Sequence, residues 1–68
     1  LKTIEATPQN TKKGRLVIHK FLYDMNDQPR LALVVDEDDG YGDVGVSFQE
    51  YPELTYYFEL KSLLLIED

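Results

Sequence analysis

The chain has 68 residues, enough for one small domain, with 43% hydrophobic and 29% charged residues. That balance is globular rather than disordered. A fold of this size removes only about 60% of the surface its unfolded chain exposes. With no cysteine and one histidine, His19, neither disulfides nor a thiolate metal site can reinforce the thin core, which leaves good packing or a partner chain.

The absence of cysteine fits a reducing, cytoplasmic compartment. No stretch approaches the roughly 20 apolar residues of a membrane helix, and the first residues lack the apolar run of a signal peptide. Net charge is −6 and very uneven. Residues 1–30 carry +3, and residues 31–68 carry −9, with Lys61 the only base among ten acids. In sequence the chain is a charge dipole; in space a small sheet can interleave the halves.

Residues 1–13 are rich in Thr, Lys, Gln, Asn and Pro and read as an irregular N-terminal arm or entry strand, leaving residues 14–68 as a single small β-domain. Residues 15–23 (RLVIHKFLY) have strand composition with imperfect alternation. They end in the turn signal of residues 24–29 (DMNDQP). The next strand spans residues 30–35. Leu31, Leu33 and Val35 lie on one face and Ala32 and Val34 on the other, so this strand is expected to be buried on both sides.

Residues 36–42 (DEDDGYG) form a loop, since four successive acids repel and two glycines loosen the backbone. The clearest alternation follows: Val44, Val46 and Phe48 against Gly45, Ser47 and Gln49. Pro52 then marks a turn at residues 50–54 (EYPEL). Tyr56, Phe58 and Leu60 share a face of the following strand, a single-turn helix is expected near Lys61, and residues 62–67 (SLLLIE) close the fold. The expectation is an all-β domain of about five short antiparallel strands. With no long helix to cover it, the sheet has to close on itself as a small barrel or meander.

This order resembles the small SH3-like barrels: a glycine-led first strand, an acidic loop, VGVSF, a tip, YYFEL, one tight turn and LLLIE. The resemblance covers residues 14–67 and is one of pattern. Peptide-binding SH3 domains carry an ALYDY-like segment, a groove tryptophan and a PxxY element; this chain has no tryptophan, and neither DEDDGYG nor QEYPELTYY reproduces the other motifs. The wider class implies an accessory subunit, a docking module, a nucleic-acid module or an inhibitor.

Nothing in the chain assembles into a nucleophile and base beyond a chance meeting of His19 with Ser47 or Ser62. No enzymatic activity or cofactor is expected. Placing residues 36–47 on a calcium loop puts Gly40 at the fifth position instead of the sixth and Ser47 where a bidentate Glu belongs. Only a loose divalent site at Asp36, Asp38, Asp39 and Asp43 would remain, and no metal is expected. Lys12, Lys13 and Arg15 are basic, but the overall charge opposes direct nucleic-acid binding.

The suggestive feature is the mixture of acids and tyrosines: Asp36, Glu37, Asp38, Asp39, Tyr41 and Asp43, then Glu50, Tyr51, Glu53 and Tyr57. Tyrosine buries large area at low entropic cost, and surrounding carboxylates steer a basic partner. The expected function is therefore a noncatalytic protein-binding module, an accessory or regulatory subunit docking on a basic protein surface. The alternative is an acidic, nucleic-acid-mimicking inhibitor of a DNA- or RNA-binding enzyme. An exposed strand edge would also permit a homo-oligomer.

Overall fold

The computed structural model describes residues 2–67. Six strands form: β1 (Thr3–Glu5), β2 (Leu16–Tyr23), β3 (Pro29–Asp36), β4 (Asp43–Phe48), β5 (Tyr56–Glu59) and β6 (Leu63–Ile66). A single 3₁₀ turn, Leu60–Ser62, precedes β6. All pairings are antiparallel, in one sheet of order β1-β6-β2-β3-β4-β5. The all-β expectation holds, with six strands instead of about five.

The added strand comes from the segment read as an irregular arm or entry strand. Ile4 faces Leu65 in the β1–β6 register and packs against the core, so one apolar residue among polar neighbours is enough to seat three residues. The rest of the segment is a built turn: Thr7 N–H donates to Asn10 Oδ1 at 2.9 Å, and Asn10 N–H donates back to Thr7 Oγ1 at 3.1 Å. Thr11 is fully buried, its hydroxyl donating to Thr7 O.

The sheet is not closed by hydrogen bonds; β1 and β5 are its two edges. It curls instead. The register shifts between Ile18 and Tyr23 on β2 and between Val34 and Asp36 on β3, and such irregularities bend and twist a strand. The curl brings the Phe58 ring of β5 within 4.7 Å of the His19 ring of β2, centroid to centroid. On the concave face Val17, Ala32, Val34, Val44, Val46, Phe48, Leu63 and Leu65 form the buried core.

One strand departs from expectation in burial. Ala32 and Val34 of β3 are buried, but Leu31 and Leu33 are exposed. Leu33 pairs with Leu16, and Leu31 with Ile18, so these side chains project together from the convex face, which no second layer among the described residues covers. The alternation on β3 was legible in sequence; which leucine-bearing face met solvent depended on the absence of an outer layer.

Candidate functional site

The β3 irregularity places the first predicted residue. By shifting register after Val34, it pairs Asp36 with Gly45, and Gly45 pairs on its other side with Tyr57. The Tyr57 hydroxyl crosses the glycine to donate to Asp36 Oδ2 at 2.8 Å. That hydrogen bond, followed by the charge of the same carboxylate, raises the Tyr57 pKa above 10.0. A side chain at Gly45 would lie 2.8 Å from Asp36 Cβ and 3.0 Å from the Tyr57 ring. Tyrosine, carboxylate and glycine thus form one interlocked unit.

The remaining loop acids are turned largely onto their own backbone. Asp38 Oδ1 accepts the Gly42 N–H and Asp39 Oδ1 accepts the Tyr41 N–H, each at 2.8 Å, as short acidic side chains do in turns. Gly40 and Gly42 supply the left-handed backbone this path requires, at φ +93° and +87°. Glu37 Oε2 accepts the Lys13 N–H at 3.0 Å, and its Oε1 lies 3.7 Å from Lys12 Nζ. Tyr41 is left 88% exposed at the loop apex.

Glu50, Tyr51 and Glu53 lie at the other end of β4, in the tip before β5. Glu50 sits 3.8 Å from Arg30 Nη1, whose guanidinium lies 5.9 Å from the centre of the Phe48 ring. The Ser47 hydroxyl donates to Pro52 O at 3.2 Å and ties the tip to the convex face. The ten predicted residues therefore fall into two groups: Asp36, Glu37, Asp38, Asp39, Tyr41, Asp43 and Tyr57 around the acidic loop, and Glu50, Tyr51 and Glu53 at the tip.

What lies beside the tip was missed in the sequence reading. Leu16, Leu31 and Leu33 are 40%, 45% and 41% exposed. With Ser47, Gln49 and Pro52 they line an open groove of about 280 Å³ on the convex side. The absence of any second amphipathic element to cover this face was the one sequence signal that could have exposed it.

Charge interleaves across the fold. Lys12–Glu37, Arg30–Glu50 and Lys2–Glu67 join the basic first half to the acidic second half, and Lys20–Glu5 and Lys61–Glu59 complete the pairs. On the convex face, however, Asp43 of β4 stands opposite Glu59 of β5, a like-charge pair that is unfavourable in a sheet. His19 is buried on the concave side, its Nδ1 accepting the Phe21 N–H at 3.1 Å, and burial lowers its pKa below 6.5. Ser47 faces the opposite side of the sheet. Among the described residues, no group of three or more His, Asp or Glu is placed to hold a metal ion, and no helix is long and apolar enough to cross a membrane.

With this geometry in view, the chain was compared with known proteins: no family model, curated protein or solved structure matches it.

Proposed function

We propose that this protein is a noncatalytic docking module, an accessory or regulatory subunit that seats the convex face of its sheet on a larger protein. The observation that carries the reading is the row of outward leucines, Leu16, Leu31 and Leu33, bordering an open groove. A contiguous exposed apolar patch with a polar rim is characteristic of interaction sites. Acids stand at both ends of the face: Glu53 adjoins Pro52, with Glu50 beside it paired to Arg30, and Asp36, Asp43 and Glu59 lie toward the other end. The opposed pair Asp43 and Glu59 is offset in part by Lys61, 3.2 Å from Glu59, and a partner's cation beside Asp43 would offset it further. The matching partner is a protein surface with apolar side chains set among Lys or Arg.

The alternative, a nucleic-acid mimic, calls for a row of carboxylates free to stand in for phosphates. Asp36, Glu37, Asp38 and Asp39 are engaged by a tyrosine, a lysine pair and backbone N–H groups, which favours docking. We also read the curled sheet as an SH3-like barrel whose open seam is bridged by the Phe58–His19 contact, on the strength of the element order and the single turn before β6.

The test is capture from the source lysate at low and high salt, with and without competing DNA. The captured protein is then purified and its affinity for wild type and for the double variant Leu31→Ser/Leu33→Ser is measured. Docking predicts DNA-insensitive binding that the double variant weakens about tenfold or more, an anchor-sized loss. A partner displaced by DNA and indifferent to the leucines would overturn the reading in favour of mimicry.

A further inference from the structure

The β2–β3 hairpin ends in a largely exposed apolar tip, anchored on the sheet only at its base, where the Phe21 ring stands edge-on to that of His19 at 6.0 Å. Met25 at its apex is 98% exposed and Phe21 74%, with Tyr23 and Leu22 also exposed between them. Lone exposed apolar residues are ordinary; Phe21 and Tyr23, alternate residues of β2, with Met25 beyond them at the apex, form a patch. The turn holding them is well defined. Asp24 Oδ1 accepts the N–H groups of Asn26 and Gln28 at 2.8 and 3.0 Å. The Asp24 N–H donates to Gln28 O at 2.8 Å, and Asp27 occupies left-handed backbone at φ 58°. Arg30 Nε donates to Tyr23 O at 3.3 Å and braces the base. A backbone preset in this way loses little freedom on binding.

We infer that this tip is a second docking element, which inserts Phe21 and Met25 into an apolar pocket of a folded protein partner whose rim is cationic. The charge around the tip selects that occupant. Asp24 and Asp27 flank Met25, so inserting it into a bilayer would carry two carboxylates to the surface. The nearby bases Lys20 and Arg30 are paired with Glu5 and Glu50 and offer little to anionic headgroups. A second copy is disfavoured as well, since every copy carries −6. An apolar pocket ringed by Lys or Arg satisfies both the side chains and the carboxylates. Methionine suits such a pocket because its unbranched chain adapts to irregular walls.

The inference shares with the docking reading only the need for a protein partner, and it rests on different residues. The probe is the full chain carrying a photo-cross-linking side chain at position 25, with position 41 as the control site. It is irradiated in source lysate, in parallel with flotation on phosphatidylcholine and phosphatidylglycerol vesicles and sedimentation of the pure protein over rising concentration. The expected result is a position-25-specific adduct to one protein. Once purified, that protein binds wild type about tenfold or more tightly than it binds Phe21→Ser/Met25→Ser, and the loss deepens when its basic rim is neutralised.

Absence of a position-25-specific adduct, vesicle binding that depends on Met25, or Met25-dependent self-association would each overturn the inference. So would a purified partner bound equally by wild type and the tip variant. If that partner is still lost with Leu31→Ser/Leu33→Ser, the docking reading stands while the tip assignment falls; if neither variant matters, both fall.

Discussion

Gly45 is the residue on which the acidic end of the convex face turns. A β-carbon there has nowhere to go between Asp36, Thr55 and Tyr57, so Gly45→Ala should cost about 1–3 kcal/mol, as overpacking does; an unchanged midpoint in chemical denaturation would contradict the interlocked arrangement. The Tyr57 hydroxyl donates to Asp36, which favours its neutral form. A difference absorbance titration of wild type against Tyr57→Phe should find this phenol titrating above 10.0, and Asp36→Asn should bring it back down. His19 behaves in the opposite sense. Burial lowers its pKa from 6.5, and its Nδ1 is occupied as an acceptor, so the folded chain resists a proton that the unfolded chain takes up. Its contribution to stability is complete above pH 6.5 and is lost as pH falls toward the folded pKa. Unfolding free energies that rise on acidification across this window, for wild type relative to His19→Phe, would contradict it.

Among the elements, five of six strands and the turn before β6 were legible because period-two alternation and punctuating Pro, Gly and Asp are local signals. Val44, Val46 and Phe48 against Gly45, Ser47 and Gln49 is the plainest case, and Phe48 with its two valines is indeed buried. Strand β1 was legible only as one of two readings, an arm or an entry strand: three residues cannot show a period, and their pairing is decided by β6, more than 50 residues away. The candidate acids were visible as a run, but the run could not show that Asp38 and Asp39 would cap their own turn, nor that a register shift would carry Asp36 to the convex face. In the β2–β3 hairpin the turn residues were legible and the exposure of the flanking apolar residues was not. Because the Asp24 carboxylate holds two N–H groups there, Asp24→Ala should cost about 1 kcal/mol and speed amide exchange at Asn26 and Gln28; unaltered exchange at both would show that the turn is held by something else.

As a whole, the molecule is compact, with a radius of gyration of 10.9 Å, close to the roughly 11 Å expected for its length. Its one sheet has two unlike sides. The concave side is spent on the core, and the convex side keeps leucines in water that burial elsewhere in the chain does not claim. Three of the five surface ion pairs join the two halves of the sequence dipole, and each of the five is worth little by itself, so these pairs contribute little to stability. Leu31 and Leu33 are only half covered in the free protein. Changing both to serine should therefore leave folding intact, at a cost of about 1 kcal/mol each or less, and fall mainly on binding. The measurement that tests this directly is the affinity of the purified partner for wild type and for Leu31→Ser/Leu33→Ser, with the variant's fold verified by its amide spectrum. A folded variant that binds about tenfold or more weakly is the predicted result; a folded variant that binds as wild type does would contradict the assignment of the convex face as the docking surface.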